Sequence, residues 1–366
     1  MDSIMGNNTW VLADLPPGCK PLGYKWIFKR KLKVDGTIEK FKARLVIQGF
    51  KQKSGIDYFD TYAPVARIST IRLLIAMASI HSLIIHQMDV KTAFLNGELD
   101  EEVYMNQPQG FIMPGNENKV CKLIKSLYGL KQAPKQWHQK FDEVVLSNGY
   151  LLNQADKCVY SKFDESGKGV IICLYVDDML IFGTDQVQVD LTKEFLSSRF
   201  SMKDMGEADV ILGIRIKHKS NGIAISQSHY IEKVLKKFNY FDCTLVSTPM
   251  DTSEKLMPNN GQAGKLSRLV YTGYPSVLEG YTYASWISNT EDNSSISGWV
   301  FLLGGGAISW ASKKQTCITG STMEYEFVAL AATGKEAEWL KNLLLKIPLW
   351  VKPISPISIL CDSAAT

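Results

Sequence analysis

Ile171-Ile172-Cys173-Leu174-Tyr175-Val176-Asp177-Asp178-Met179-Leu180-Ile181-Phe182-Gly183 is the stretch on which the fold turns. Six apolar or aromatic residues run into two adjacent carboxylates, and four more apolar residues follow before a glycine. Short β-rich runs on either side of a polar pair predict a hairpin with both aspartates at its tip. Asp-Asp is a poorer turn pair than Asn-Gly, and two like charges held together repel unless a cation neutralises them. The tip therefore reads either as a solvated acidic turn or as part of a cation site.

A second acid stands at a comparable position upstream. Ala66 to Ser82 predicts an amphipathic helix, with Ile68, Ile71, Leu74, Ile75 and Ala78 at helical spacing. It leads into the apolar strand Leu83-Ile84-Ile85-His86-Gln87-Met88-Asp89. A sheet can bring such strand ends together, so Asp89, Asp177 and Asp178 form a candidate all-oxygen site. Oxygen-only ligation suits magnesium, which keeps positions open for substrate phosphates.

Further towards the N-terminus, residues 20–53 hold eleven Lys or Arg against Asp35 and Glu39, within a chain whose net charge is only +4. The basic residues alternate with aromatics along Tyr24 to Lys31 and Phe41 to Phe50, with Val34-Asp35-Gly36-Thr37 as the turn between them. One face of such a ribbon is cationic and the other can bury its aromatics, an arrangement suited to a polyanion. The competing reading is an edge strand guarded by lysines.

Downstream of Asp89, Pro134 falls in the first turn of an expected helix whose buried face is Trp137, Phe141, Val144 and Val145. Beyond the acidic hairpin, helices over 186–200 and 227–238 flank a second hairpin over 210–226. The segment 248–268, with Thr248-Pro249 and Pro258-Asn259-Asn260-Gly261, carries no periodicity and reads as a linker. After it come a Gly304-Gly305-Gly306 hairpin, a long helix from Thr322 to Leu345 and a strand ending at Asp362. Helices interleaved with hairpin-joined strands predict an α+β fold.

Composition excludes other classes. With 45% hydrophobic and 21% charged residues the chain is globular rather than disordered. No window approaches the roughly eighteen uncharged apolar residues of a membrane helix, and Met1-Asp2-Ser3-Ile4 lacks a signal-peptide pattern, so cytoplasm or nucleus is expected. The seven cysteines are dispersed without a C-x-x-C, which argues against a zinc knuckle.

Tyr175-Val176-Asp177-Asp178, Gln87-Met88-Asp89-Val90-Lys91-Thr92-Ala93-Phe94-Leu95-Asn96-Gly97 and Ser126-Leu127-Tyr128-Gly129-Leu130-Lys131-Gln132-Ala133-Pro134 together resemble the reverse transcriptase of copia-type LTR retrotransposon Pol polyproteins, especially plant ones. The resemblance extends over nearly the whole chain. It implies right-hand polymerase fingers and palm in residues 1–247, a linker at 248–270 and a partial ribonuclease H-like α/β domain in 271–366. By the same resemblance Asp89, Asp177 and Asp178, with the Val90 carbonyl, hold Mg2+ or Mn2+ for two-metal nucleotidyl transfer. Lys42 and Arg44 meet the incoming deoxynucleoside triphosphate, and Phe94 crowds the sugar 2′ position. RNA template and DNA primer are the implied partners.

The chain departs from that family in two places. The ribonuclease pattern Gly-Tyr-Ser-Asp-Ala-Ser-Trp stands here as Gly280-Tyr281-Thr282-Tyr283-Ala284-Ser285-Trp286, so Tyr283 replaces the first acid beside Glu326 and Asp362. A phenol is neutral near pH 7 and cannot act as a bridging carboxylate, so ribonuclease H activity is expected to be lost. After Gln262 the sequence passes almost directly to Tyr271, where the family has a long thumb and connection segment. The implied chain is an internally deleted copy, which an intact copy of the polyprotein would complete by association. Two alternatives to the polymerase reading stand: a non-catalytic nucleic-acid-binding remnant, and a nuclease using Glu326 and Asp362.

Overall fold

The computed structural model describes residues 8–32, 37–239, 269–289, 294–350 and 352–361. Val34-Asp35-Gly36, residues 248–268 of the expected linker, and Asp362 lie outside the described residues.

The N-terminal part holds β1 (Trp10–Ala13), β2 (Tyr24–Leu32) and β3 (Ile38–Ile47). Strands β2 and β3 pair antiparallel as a two-stranded ribbon, with Trp26 opposite Leu45, Ile27 opposite Arg44, and Lys29 opposite Lys42. Strand alternation therefore gives one face carrying Lys29, Lys42 and Arg44 and another carrying Trp26, Phe28 and Phe41. Only the root of the aromatic face is covered: Trp26 stacks on Phe111 at 6.1 Å. Phe28 and Phe41 are 74% and 69% exposed. The expectation of buried aromatics fails here because the ribbon projects past the small sheet that covers its base.

Helix α1 (Ile68–His81) precedes β4 (Ile84–Val90), and β5 (Tyr104–Asn106) and β6 (Val120–Leu123) complete a three-stranded sheet with β1. Helix α2 (Ala133–Ser147), with a proline in its first turn, leads to β7 (Leu151–Leu152), β8 (Val159–Phe163), β9 (Gly169–Tyr175), β10 (Asp178–Gly183), α3 (Gln186–Arg199) and β11 (Met202–Glu207). The resulting six-stranded antiparallel sheet has the order β11-β4-β10-β9-β8-β7. Strand β4 is thus inserted between the acidic hairpin and β11, far from its sequence neighbours.

Strands β12 (Val210–Ile211), β13 (Ile214–Lys219) and β14 (Gly222–Ser226), helix α4 (Ser228–Lys237) and β15 (Leu269–Tyr271) follow. Leu269 and Val270, placed in the linker by the expected domain division, pair with Ile225 and Ala224 of β14. The last part carries β16 (Glu279–Asn289), β17 (Ser294–Leu303), β18 (Gly306–Lys314), helix α5 (Thr322–Leu345) and β19 (Ser358–Cys361), in the sheet order β18-β17-β16-β19. The turn between β17 and β18 uses Gly304 and Gly305, both at positive φ, as a tight hairpin requires.

Helix α1 departs from its expected amphipathic form. Leu73, Leu74, Ile75, Ala76, Met77 and Ala78 are all buried in succession. Their surroundings explain it: β18, β14 and β15 pack against the helix, and its residues join those of the six-stranded sheet in one apolar cluster. The Arg72 guanidinium lies 3.9 Å from the Trp310 ring centre, and Ser79 Oγ donates to the Tyr271 carbonyl at 2.7 Å. Each fully buried Leu or Ile contributes about 1.5–3 kcal/mol. One hydrophobic core consequently runs from Phe141 and Ile172 through α1 to Leu340 and Leu344.

Candidate active site

The tip of the acidic hairpin sits one residue earlier than its sequence suggests. Tyr175 pairs with Asp178, so Val176 and Asp177 are the turn residues and Asp178 is the first residue of β10. Val176 adopts φ +59°. For a β-branched side chain that conformation costs on the order of 1–3 kcal/mol and persists only when its surroundings hold it. Two contacts do so. Trp137 Nε1 donates to the Val176 carbonyl at 2.6 Å, and the Val90 amide donates to the Asp177 carbonyl at 2.8 Å. Trp137, read from sequence as a core residue alone, also positions the turn.

Asp178 is directly opposite Asp89 across the β10–β4 ladder. Directly opposed side chains share a face, with Cβ atoms roughly 4.5–5.5 Å apart. Burial, together with Asp177 and Asp89 nearby, raises the Asp178 pKa above the ordinary carboxylate value, and a hydrogen bond from Gln87 opposes the shift. Gln87 Nε2 donates to Asp178 Oδ1 at 3.2 Å. Asp89 and Asp178 thus stand opposed at one end of the sheet with Asp177 in the adjoining turn, and their oxygen-only chemistry fits a hard divalent cation. Among the described residues, however, no three His, Cys, Asp or Glu side chains are gathered as a set that could hold a metal ion.

The two cations expected of the basic ribbon, Lys42 and Arg44, lie on the same face of it. Arg44 Cζ lies 5.4 Å from the Tyr128 ring centre, and Phe94 packs against that ring at 5.0 Å between centres. Burial raises the Tyr128 pKa; Arg44 opposes the shift, while Asp177 and Asp89 add to it, so the phenol lies within electrostatic reach of all three. Lys42 is exposed and stands two residues nearer the ribbon tip on the same face. Sequence reasoning quoted Tyr128 within a motif without singling it out; the structure places its ring between Arg44 and Phe94.

That glycine joins the two halves. Gly129 has φ +100°, and an added Cβ would stand 2.3 Å from the Ile47 carbonyl oxygen. The Ile47 amide donates to the Tyr128 carbonyl at 2.8 Å. The base of β3 is therefore clamped to the loop that carries Tyr128.

Of the second set of expected residues, Tyr283 and Glu326 fall among the described residues and Asp362 does not. Thr333 Oγ1 donates to Thr282 Oγ1 at 2.9 Å, so Thr282 faces α5 and alternation turns Tyr283 to the other side of the sheet. There its ring lies over Gly298, where an added Cβ would fall 2.0 Å from Tyr283 Cε1. Glu326 is 4% exposed, and Cys361 Sγ donates to its Oε2 at 3.9 Å. Tyr283 and Glu326 are not brought together.

A family model described as reverse transcriptase (RNA-dependent DNA polymerase) matches residues 7–252. The retrovirus-related Pol polyprotein from transposon TNT 1-94 of Nicotiana tabacum is 38% identical over 427 residues, covering 99% of this chain and 32% of the relative. That aligned length exceeds the 366 residues here, so the relative carries residues with no counterpart in this chain. The Pol polyprotein from transposon RE1 of Arabidopsis thaliana is 34% identical, covering 98% of this chain and 28% of the relative. The chain spans about a third of the length of these relatives. Among solved structures, a foamy viral protease-reverse transcriptase in complex with double-stranded DNA is similar at 10% identity, covering 99% of this chain and 68% of that one, with a TM-score of 0.27.

Proposed function

The chain belongs to the reverse transcriptase family carried in plant retrotransposon Pol polyproteins, and from that premise we propose that it performs RNA-directed DNA synthesis at the Asp89, Asp177 and Asp178 strand ends. The observation that carries this reading is the register that sets Asp178 opposite Asp89, one residue from Asp177. Asp89, Asp177 and Asp178, with the Val90 carbonyl at the same strand end, would hold magnesium or manganese. Such ions supply activation of the primer hydroxyl and charge neutralisation at the departing pyrophosphate.

The chain's own residues set the geometry around that chemistry. Arg44, held over Tyr128, offers a fixed guanidinium to the triphosphate, with Lys42 adding positive charge farther along the same face. Phe94 and Tyr128 form the apolar wall against which the sugar packs. The substrates are an RNA template, a DNA primer and deoxynucleoside triphosphates, and residues 1–247 supply the fingers and palm. The part from about residue 271 is a ribonuclease H-like unit without hydrolytic activity, since Tyr283 lies over Gly298 in place of a metal-binding acid. Intact RNA in an RNA–DNA hybrid after incubation with the purified chain and Mg2+ tests that loss; cleavage contradicts it.

A second reading is a nucleic-acid-binding remnant without turnover. Two observations favour it: the three acids are not gathered as a metal-holding set among the described residues, and a relative carries residues this chain lacks. Incorporation of dTTP on poly(rA)/oligo(dT) separates the two. Salt-dependent binding with no incorporation at any Mg2+ or Mn2+ concentration selects the remnant.

A further inference from the structure

Away from the polymerase centre, a groove of about 600 Å³ runs between α5 and the ends of β17 and β18, with Arg67 of the palm on its rim. Its walls carry four cations, Arg67, Lys313, Lys314 and Lys335, against a single carboxylate, Glu336. That carboxylate is already engaged: Glu336 Oε1 accepts from Ser309 Oγ at 2.6 Å, and its other oxygen lies 3.7 Å from Arg67. Two of the cations are held against indole rings. Arg67 Cζ lies 4.3 Å from the Trp339 ring centre, and Lys313 Nζ lies 5.1 Å from that of Trp299. Trp339 is in turn fixed by its Nε1, which donates to the Ala155 carbonyl at 3.0 Å.

Cations held on aromatic faces lose less freedom when they bind, and the faces they cover are no longer open for stacking. The groove is thus built for phosphates rather than for bases. Gln315, 7% exposed on the groove wall, donates through Nε2 to Ser297 Oγ and the Tyr325 carbonyl, both at 2.8 Å. These two bonds, made inward, fix the Gln315 side chain beneath the cations of the wall. A second hollow of about 510 Å³ shares Lys335 and Trp339 and extends the path to Lys346. The path is therefore longer than one isolated anion needs.

We propose that this groove binds the phosphate backbone of a nucleic-acid strand at a place separate from the polymerase centre. Arg67 links it to the palm: its amide donates to Asp156 Oδ2, and Asp156 Oδ1 accepts from the Cys158 amide beside β8. The Cys158 carbonyl accepts from Leu174, next to the catalytic turn. The groove and the acidic hairpin thus lie at the same end of the six-stranded sheet.

The test is the salt dependence of binding of a fluorescein-labelled single-stranded oligonucleotide to the full chain, read by anisotropy. In the groove pair, Lys313→Gln with Lys335→Gln, affinity near 0.1 M salt is expected to fall roughly tenfold, and the log–log salt slope to become shallower by about 1.4, the value for two lost phosphate contacts. A control pair, Lys168→Gln with Lys341→Gln, removes two exposed lysines outside the groove and is expected to leave both unchanged. All four lysines are exposed, and equal melting temperatures verify that the variants fold. Groove and control pairs that behave alike would overturn the proposal. Tripolyphosphate that competes as well per phosphate as unlabelled oligonucleotide would overturn the strand and leave a small-anion site. Because the readout is binding, failure of the polymerase reading shows separately as lack of incorporation.

Discussion

At the scale of single residues, Asp178 stores unfavourable electrostatics. Burial and two neighbouring carboxylates raise its pKa, so the folded protein holds this proton more tightly than the unfolded chain does. Its contribution to stability is therefore fully present below the unfolded-state pKa and is lost as pH rises through the raised, folded-state value. In metal-free buffer at neutral pH, Asp178→Asn is expected to raise Tm by roughly 2–4 °C, as about 1 kcal/mol of relief does in a domain of this size. The same substitution at acid pH is expected to have little effect, and thermal melts at both pH values check the sign. Tyr128→Ala is expected to raise KM for the triphosphate, since it removes the ring that both Arg44 and Phe94 rest on. Steady-state incorporation assays measure it.

At the scale of elements, the hairpin and the base of the ribbon are each held by a few close contacts from segments distant in sequence. Trp137→Phe keeps an aromatic in the core but removes the donor to the Val176 carbonyl. It is expected to cost about 1–3 kcal/mol in urea unfolding and to slow incorporation, because the strained turn loses a restraint. Gly129→Ala places a methyl group against the Ile47 carbonyl at a positive φ; an unfolding cost above about 1 kcal/mol is expected. Most strands and helices were legible in the sequence because their apolar periods are local: α5 spans Thr322–Leu345 as read. What was not legible depended on partners distant in sequence. The all-round burial of α1 follows from β15 and β18, nearly two hundred residues or more away. The turn at Val176 follows from register, which sets the tip one residue away from where the polar pair suggests. That Asp89 and Asp178 stand near strand ends was legible, whereas the Arg44–Tyr128 contact was not, since it joins two segments through Gly129.

At the scale of the whole molecule, the six-stranded sheet and the C-terminal unit share one hydrophobic core. Asn153 Nδ2 donates to the Leu343 carbonyl at 2.9 Å, which ties the loop before β8 to the end of α5. Unfolding is accordingly expected as a single transition by both tryptophan fluorescence and far-ultraviolet circular dichroism. Leu340→Ala, at a fully buried position of α5, is expected to lower the stability of the whole by about 2–5 kcal/mol while leaving one transition. Two separated transitions would show that the units are independent. The C-terminal unit, with Tyr283 turned away from Glu326, then has a structural part to play as the cover for α1.

The central claim is that Asp89, Asp177 and Asp178 still support nucleotidyl transfer in this chain. Primer extension on poly(rA)/oligo(dT) with Mg2+, run on the chain and on Asp89→Asn, Asp177→Asn and Asp178→Asn, measures it most directly. The account expects incorporation by the chain and a loss of at least about a hundredfold in each variant, in line with removing electrostatic stabilisation at a reacting centre. Incorporation that survives these substitutions would contradict the site, and absence of incorporation by the unsubstituted chain would contradict retained polymerase activity.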